Sequence, residues 1–136
     1  MSTGLGHLPG VLLIEPDGLT RGTVASVCRE LQLVRLQQVT SIAQGEKWLK
    51  TSADHGLLLS LAEGAVALEF LERVRAGQYR CERDIPVAVM APSCDAALAS
   101  RLKQLDVRRL LLQPFRLRDV VHTLEQLWPA PEVLAA

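Results

Sequence analysis

The sequence predicts an α/β domain with a doubly wound, five-stranded parallel sheet that helices cover on both sides. Two largely apolar runs, residues 11–14 and 57–61, are typical of strands buried on both faces. Amphipathic stretches with helical spacing alternate with the strand-like runs, through short connections. The 136 residues, 49% of them hydrophobic, suffice for one domain with its own core. We expect it at residues 11–128, between a disordered tail at residues 1–10 and a tail or linker start at residues 129–136.

The first part of the chain predicts two strands and two helices. The strand at residues 11–14 ends at a turn of two acids, a proline and a glycine, which oppose a sheet. Residues 34–40 alternate apolar and polar side chains, as a strand near a sheet edge does. Ser41 and Gln44 resemble a capping box at the start of the second helix. The apolar positions expected to be buried are Val24, Val27, Cys28 and Leu31 in the first helix, and Ile42, Trp48 and Leu49 in the second.

The middle of the chain contains the expected central strand, residues 57–61. A helix from about Gly64 to Arg75 follows it, and its charged side chains are expected in solvent. Its inward positions are Ala67, Phe70, Leu71 and Val74. Because ligands of open parallel sheets bind where the carboxyl ends of central strands meet, a functional crevice is expected next to Ser60.

The last part of the chain predicts two more strands and two more helices. Residues 85–90 form the fourth strand, with a proline near its start where a missing N–H is tolerated. Ser93 or Asp95 is expected to cap the fourth helix, and residues 107–112 to form the fifth strand. The expected core positions of the two helices are Leu98, Leu102 and Leu105, then Leu117, Val120, Val121, Leu124 and Leu127.

Charge and composition exclude several classes of function. Fifteen basic side chains balance fifteen acidic ones, so no global field favours nucleic acid or an anionic membrane. No apolar run approaches the roughly 20 residues of a membrane-spanning helix, and the N-terminus does not resemble a signal peptide. The three cysteines, Cys28, Cys81 and Cys94, form no CxxC pair and suggest packing roles in a reducing cytoplasm.

Three stretches of the chain resemble the receiver domains of two-component response regulators. Residues 11–21 resemble the first strand, acidic turn and first helix of that family, and residues 85–91 resemble its fourth strand. Residues 111–118 resemble the fifth strand and the lysine-proline-phenylalanine turn into the last helix. The resemblance covers about residues 11–128. It implies a flavodoxin-like sheet with strand order 2-1-3-4-5, a cis peptide bond before Pro114, and bacterial signalling as the setting.

The residues that carry phosphorylation in that family are replaced here. A working receiver accepts phosphoryl from a histidine kinase on an aspartate, assisted by Mg²⁺, a lysine and a hydroxyl. The acceptor falls on Ser60, or on Leu59 if the register differs by one residue. The other matched positions are Glu15 and Pro16 for the two acids, Ala91 for the hydroxyl, Gln113 for the lysine and Leu110 for the switch aromatic. These departures imply a pseudo-receiver: not an enzyme, with no catalytic residue, no cofactor and no metal ion.

Several alternatives remain at these positions. Glu15 and Asp17 together either hold a divalent cation weakly or belong to a solvated turn that caps the first helix. Glu63 either imitates a phosphoryl charge or is an ordinary acid at the start of the third helix. A receiver still phosphorylated in a phosphorelay at Glu15, Asp17 or Ser60 is the second hypothesis. A small-ligand binder is the weakest, because no glycine-rich loop follows the first strand.

A local excess of basic residues suggests an interaction face. It spans the fourth helix, fifth strand and fifth helix and contains Arg101, Arg108, Arg109, Arg116, Arg118 and Asp119. The resemblance implies that a protein partner, either a signalling protein or a second copy, docks on this face. An ordinary solvated basic surface is the alternative. Nucleic acid is not an expected partner, because no recognition motif or interleaved aromatic residue accompanies the charges.

Overall fold

The computed structural model describes residues 8–128 and confirms the predicted α/β architecture. Five strands alternate with five helices in one parallel sheet. The elements are β1 (Gly10–Ile14), α1 (Gly18–Leu31), β2 (Arg35–Val39), α2 (Ile42–Leu49), β3 (Gly56–Ser60), α3 (Ala65–Arg75), β4 (Val87–Ala91), α4 (Ala96–Gln104), β5 (Arg109–Leu112) and α5 (Leu117–Glu125). Of the two predicted tails, residues 1–7 and 129–136 lie outside the described part, and Gly10 belongs to β1.

The sheet has the strand order β2-β1-β3-β4-β5, which confirms the expected topology. β3 lies at its centre, with Leu58 paired to Leu13 of β1 and to Ala88 of β4. Every residue of β1, β3 and β4 is buried, as expected for strands with helices on both sides. The edge strand β2 is mostly polar, and the edge strand β5 buries only Leu111.

Alternate strand residues divide the interior into two cores. On one side, Leu57 and Leu59 pack in a cluster with Ile42 of α2, Phe70 of α3 and Leu102 of α4. On the other side, Leu13 and Leu58 pack in a cluster with Val24 of α1 and Val120 of α5. The two faces of the sheet are therefore filled independently by the side-chain alternation of its strands. The predicted inward positions of α3 (Ala67, Phe70, Leu71 and Val74) are all buried.

The structure identifies the N-cap residues of three helices. Asp17 caps α1, since its carboxylate accepts a hydrogen bond from Thr20 N at 2.8 Å. Ser41 caps α2, but the Gln44 side chain returns to the N–H of Thr40, one residue before the N-cap. Asp95 caps α4 and accepts from the N–H of Leu98, so Ser93 is not the cap.

Of the positions expected in the core, Leu31 and Leu117 are exposed, and Trp48, Leu98 and Val121 are only partly buried. Leu31 is 56% exposed, because α1 ends at this residue and the chain reverses at Gln32, which has a φ of 52°. Leu117 is 54% exposed at the first position of α5, and Val121 is only partly buried. The predicted spacing of apolar residues was correct in each helix. The neighbouring elements nevertheless bury fewer of these residues than the spacing alone indicates. Among the described residues, no helix combines the length and apolarity needed to cross a membrane.

Candidate functional site

The carboxyl ends of the strands bring the predicted site positions to one edge of the sheet. Glu15 directly follows β1, Ser60 ends β3, Ala91 ends β4 and Gln113 directly follows β5. Backbone hydrogen bonds fix the edge: Gln113 N donates to Ala91 O at 2.9 Å. The Gln113–Pro114 peptide bond is cis. The crevice expected from the topology is therefore present, and its chemistry depends on these four side chains.

Glu15 is buried, which corrects the expectation of a solvated acid. The residue is only 2% exposed, and its Oε2 accepts a hydrogen bond from the N–H of Asp17 at 3.1 Å. Its Oε1 has no hydrogen-bond partner among the described residues. Burial raises the pKa of Glu15, and the Asp17 N–H and the Ser60 hydroxyl oppose that increase. The Arg21 guanidinium lies on the same turn, but it donates to Glu15 O at 2.9 Å, a backbone atom.

Asp17 is exposed and engaged with the first turn of α1. Its Oδ2 accepts hydrogen bonds from Thr20 N at 2.8 Å and from Thr20 Oγ1 at 2.6 Å. These bonds lower the pKa of the Asp17 carboxyl. This half of the prediction was correct: Asp17 is a helix cap.

These acids do not fit a Mg²⁺ ion. Mg²⁺ requires near-octahedral oxygen ligands, usually including one or two accessible carboxylates. Here one carboxylate is buried with a single free oxygen, the other caps a helix, and Pro16 between them has no side-chain donor. Within residues 8–128, no group of three or more His, Cys, Asp or Glu side chains is placed to hold a metal ion.

Ser60 is enclosed at the centre of the edge. The residue is 4% exposed, and its Oγ accepts a hydrogen bond from Ala62 N at 3.1 Å. Ala91, on the neighbouring strand, is 2% exposed and contributes only a methyl group. Gln113 is partly exposed and uncharged. This arrangement provides no accessible carboxylate nucleophile, and these positions provide no cation to neutralise a phosphoryl group.

Glu63 has a role that the sequence did not indicate. It was expected to act as a phosphoryl mimic or as an acid at the start of α3. Instead, its Oε2 accepts a hydrogen bond from Ile42 N, the first residue of α2, at 2.7 Å. The Glu63 carboxylate therefore stabilises the amino end of α2 and joins the loop after β3 to that helix. The two residues are 21 positions apart, so no local pattern could reveal the contact.

The predicted interaction face divides into engaged and free side chains. Arg101 forms an ion pair with Glu72 of α3, and Arg108 donates to Leu127 O at 2.9 Å. Arg109 donates to Gln126 Oε1, and Asp119 accepts from Arg116 N. The Arg116 and Arg118 side chains are exposed and form no ion pair within residues 8–128. Two apolar side chains of β5 are also exposed, Leu110 at 36% and Leu112 at 48%.

The cysteines have the packing roles expected of them. Cys28 and Cys81 are buried, and Cys94 is partly buried. Burial raises the pKa of the Cys28 thiol to about 11, and it raises the pKa of Cys81 as well. Both buried thiols are therefore protonated and unreactive at neutral pH.

Comparison with known proteins found similarity only among solved structures. No protein-family model and no curated protein matches the chain. Chemotaxis protein CheY4 of Vibrio cholerae has a TM-score of 0.79 at 12% identity, covering 89% of this chain and 99% of that chain. The non-phosphorylated HemR receiver domain of Leptospira biflexa has a TM-score of 0.78 at 20% identity, covering 90% and 98%. A response regulator from Thermotoga maritima has a TM-score of 0.77 at 18% identity, covering 88% and 97%. At such identities the similarity concerns the fold, and the chain has the CheY-like fold of response regulator receiver domains.

Proposed function

We propose that this chain is a receiver-like signalling module of a two-component system that acts by binding a protein partner, without being phosphorylated. The main support for the proposal is the identity and burial of the residue at the end of β3. In place of an accessible aspartate, this position holds Ser60, which is 4% exposed and hydrogen-bonded to the following loop. Its pattern of free cysteines favours action in the cytoplasm.

The neighbours of Ser60 support the same interpretation. Phosphoryl transfer depends on positioned charge: a nucleophile, a divalent ion and a cation that grips the developing charge. Glu15 is buried with its pKa raised, Ala91 has no hydroxyl, and Gln113 has no charge. Restoring the reaction would require changes on four different strand ends. The strands themselves are fully buried and regular, so a folded scaffold remains for binding.

The surface proposed for the partner is the α4–β5–α5 face. Leu110 and Leu112 supply exposed apolar area on β5, and Arg116 and Arg118 supply positive charge at the start of α5 that forms no ion pair within residues 8–128. Apolar anchors with an arginine rim are typical of protein interfaces. A homodimer through this face stays a prediction, and the hydrogen bonds of Arg108 and Arg109 within the chain count against it.

The proposal is tested by intact mass spectrometry after incubation with a small phosphodonor and Mg²⁺, with a beryllofluoride titration followed by NMR. We expect no mass gain and no shift of the amide signals around Ser60. A receiver domain with an intact aspartate, treated in parallel, verifies the reagents.

A stoichiometric adduct would overturn the proposal and favour the second candidate, a phosphorelay receiver with an unusual acceptor. The Ser60→Ala, Asp17→Asn and Glu15→Gln variants would then locate the acceptor, because only the change at the modified residue removes the adduct. The Asp17 carboxylate is the accessible one of the two acids, so it is the first position to examine.

A further inference from the structure

A second exposed apolar surface lies along the outer side of α1 and the start of α5. It is on the side of α5 opposite to the α4–β5–α5 face. Leu19 is 82% exposed, the largest exposure of any large hydrophobic side chain in the described chain. Leu117, at the start of α5, is 54% exposed. Two adjoining cavities of about 440 Å³ each share Leu19 and Thr23 in their walls, and Leu117 lines one of them. These residues form an open groove that residues 8–128 do not fill.

The middle of this surface contains a glycine that the fold does not require. Gly22 is exposed in the interior of α1, where glycine stabilises a helix less than alanine does. A Cβ at this position would meet no atom of the described part of the chain within 4 Å. Intramolecular packing therefore gives no reason for the missing side chain. A small residue at an exposed helix position does allow the backbone of another helix to approach closely.

An exposed acid and an exposed base lie at opposite ends of the surface. Glu30 lines the same groove as Leu19, eleven residues further along α1, or about 16 Å at the rise of an α-helix. At the other end, Arg118 follows Leu117 in the first turn of α5. Both charged side chains are exposed, and neither has an ion-pair partner among residues 8–128.

We propose that a second copy of this chain packs on this surface, in a two-fold symmetric dimer whose α1 helices run antiparallel and cross between Gly22 and Ser26. A two-fold axis reverses the direction of α1, so Glu30 of the partner subunit comes to the level of Leu19 and Arg118 of the first copy. The reverse contact forms at the same time. A surface with acid at one end and base at the other is self-complementary only in this antiparallel arrangement.

The α1 dimer does not depend on the proposed function. It leaves Leu110 and Leu112 of the α4–β5–α5 face free for a different protein. Arg118, at the start of α5, is common to the two surfaces, so their exposed apolar side chains distinguish self-association from partner binding.

The first test is sedimentation equilibrium of the full chain up to millimolar protein, comparing Gly22→Gln with wild type. We expect the wild type to dimerise reversibly and Gly22→Gln to weaken the dimer by at least about tenfold. The same variant should raise the melting temperature of the monomer by about 3 °C, because glutamine forms helices better than glycine. Damage to the fold cannot produce that combination. The matched control is Ala97→Gln on the exposed side of α4, which should leave dimerisation unchanged.

The second test exchanges the charges. Glu30→Arg alone and Arg118→Glu alone should each weaken the dimer, and the double variant should restore it. A wild type that stays monomeric at millimolar concentration overturns the proposal, as does a dimer that tolerates Gly22→Gln. A dimer that the double variant fails to restore overturns the antiparallel arrangement.

Discussion

The two ends of the sheet differ in how their polar side chains are used. At the amino end, the Arg75 side chain donates hydrogen bonds to four backbone carbonyls, those of Arg83, Ile85, Leu105 and Asp106. These acceptors belong to the segments that enter β4 and β5. At the carboxyl end, the Ser60 hydroxyl accepts from the N–H of Ala62 in the loop that follows and otherwise acts only on Glu15, and the Ala91 side chain has no polar atom. Long-range polar contacts are therefore concentrated away from the crevice.

Further contacts at the amino end follow the same pattern. Trp48 Nε1 donates to Asp54 Oδ2 at 2.6 Å, and Trp128 Nε1 donates to His55 O at 3.0 Å. Gly10 N donates to His55 Nδ1. Glu63 is the exception at the carboxyl end, and its contact supports α2 rather than the crevice. The comparison teaches that the residues that stabilise this fold are separate from those at its functional edge, so the edge can change without loss of the fold.

The largest expected effect is at the amino end. Arg75→Met should lower the free energy of unfolding by about 3 kcal/mol, because several carbonyls lose a charged donor at once. Urea unfolding followed by circular dichroism measures this value. Arg83→Met is the matched control, because the exposed Arg83 contributes only its backbone carbonyl and should change stability by less than about 0.5 kcal/mol. Similar losses for the two variants would contradict the importance assigned to the amino end.

The fold could be predicted from the sequence because the patterns that indicate its strands and helices are local. Largely apolar runs predicted β1 and β3, and parallel topology then placed Glu15, Ser60 and Gln113 at one edge. Helix ends were less predictable. Leu31 and Leu117 fit the apolar spacing of their helices, but they lie at helix ends that the core does not bury.

The burial and hydrogen bonds of the site residues could not be predicted, because they depend on contacts that local sequence patterns do not encode. The burial of Glu15 depends on β3 and on the turn that follows β1, not on the acidic sequence around it. The Glu63–Ile42 bond and the bonds of Arg75 to the carbonyls of Leu105 and Asp106 likewise join segments that are far apart in the chain. Sequence reasoning therefore located the edge but not the hydrogen bonds within it.

The second prediction concerns the buried acid at the carboxyl end. Because burial raises the pKa of Glu15, the folded state keeps a proton that the unfolded chain has released at pH values between the ordinary glutamate pKa and the raised one. The stability from this group is fully present below the ordinary glutamate pKa and is lost as the pH rises through the folded-state pKa. Glu15→Gln should therefore stabilise the protein by about 1 kcal/mol at pH 7 and lose this advantage in acid. Urea unfolding across a pH series measures both effects.

Asp17→Asn provides the control with the opposite sign. The pKa of Asp17 is lowered by Thr20, so its contribution is present above the ordinary aspartate pKa and is lost as the pH falls through the folded-state pKa. The variant should therefore differ from wild type most at neutral pH and least in strong acid. If Glu15→Gln instead destabilises the protein at neutral pH, the Glu15 carboxylate has a stabilising partner, and the crevice is not the weakly bonded end.

The smallest effect is expected at Gln113, where the family resemblance places a lysine. Gln113→Ala should change the free energy of unfolding by less than about 0.5 kcal/mol, because the edge is fixed by the Gln113 N–H, which alanine retains. The matched change at the amino end, Asp54→Ala, leaves the Trp48 indole N–H without its acceptor and should cost about 1.5 kcal/mol. Urea unfolding of both variants in the same buffer gives the difference directly. A cost at Gln113 equal to that at Asp54 would show that its side chain stabilises the edge, and the functional edge would then not be separable from the fold.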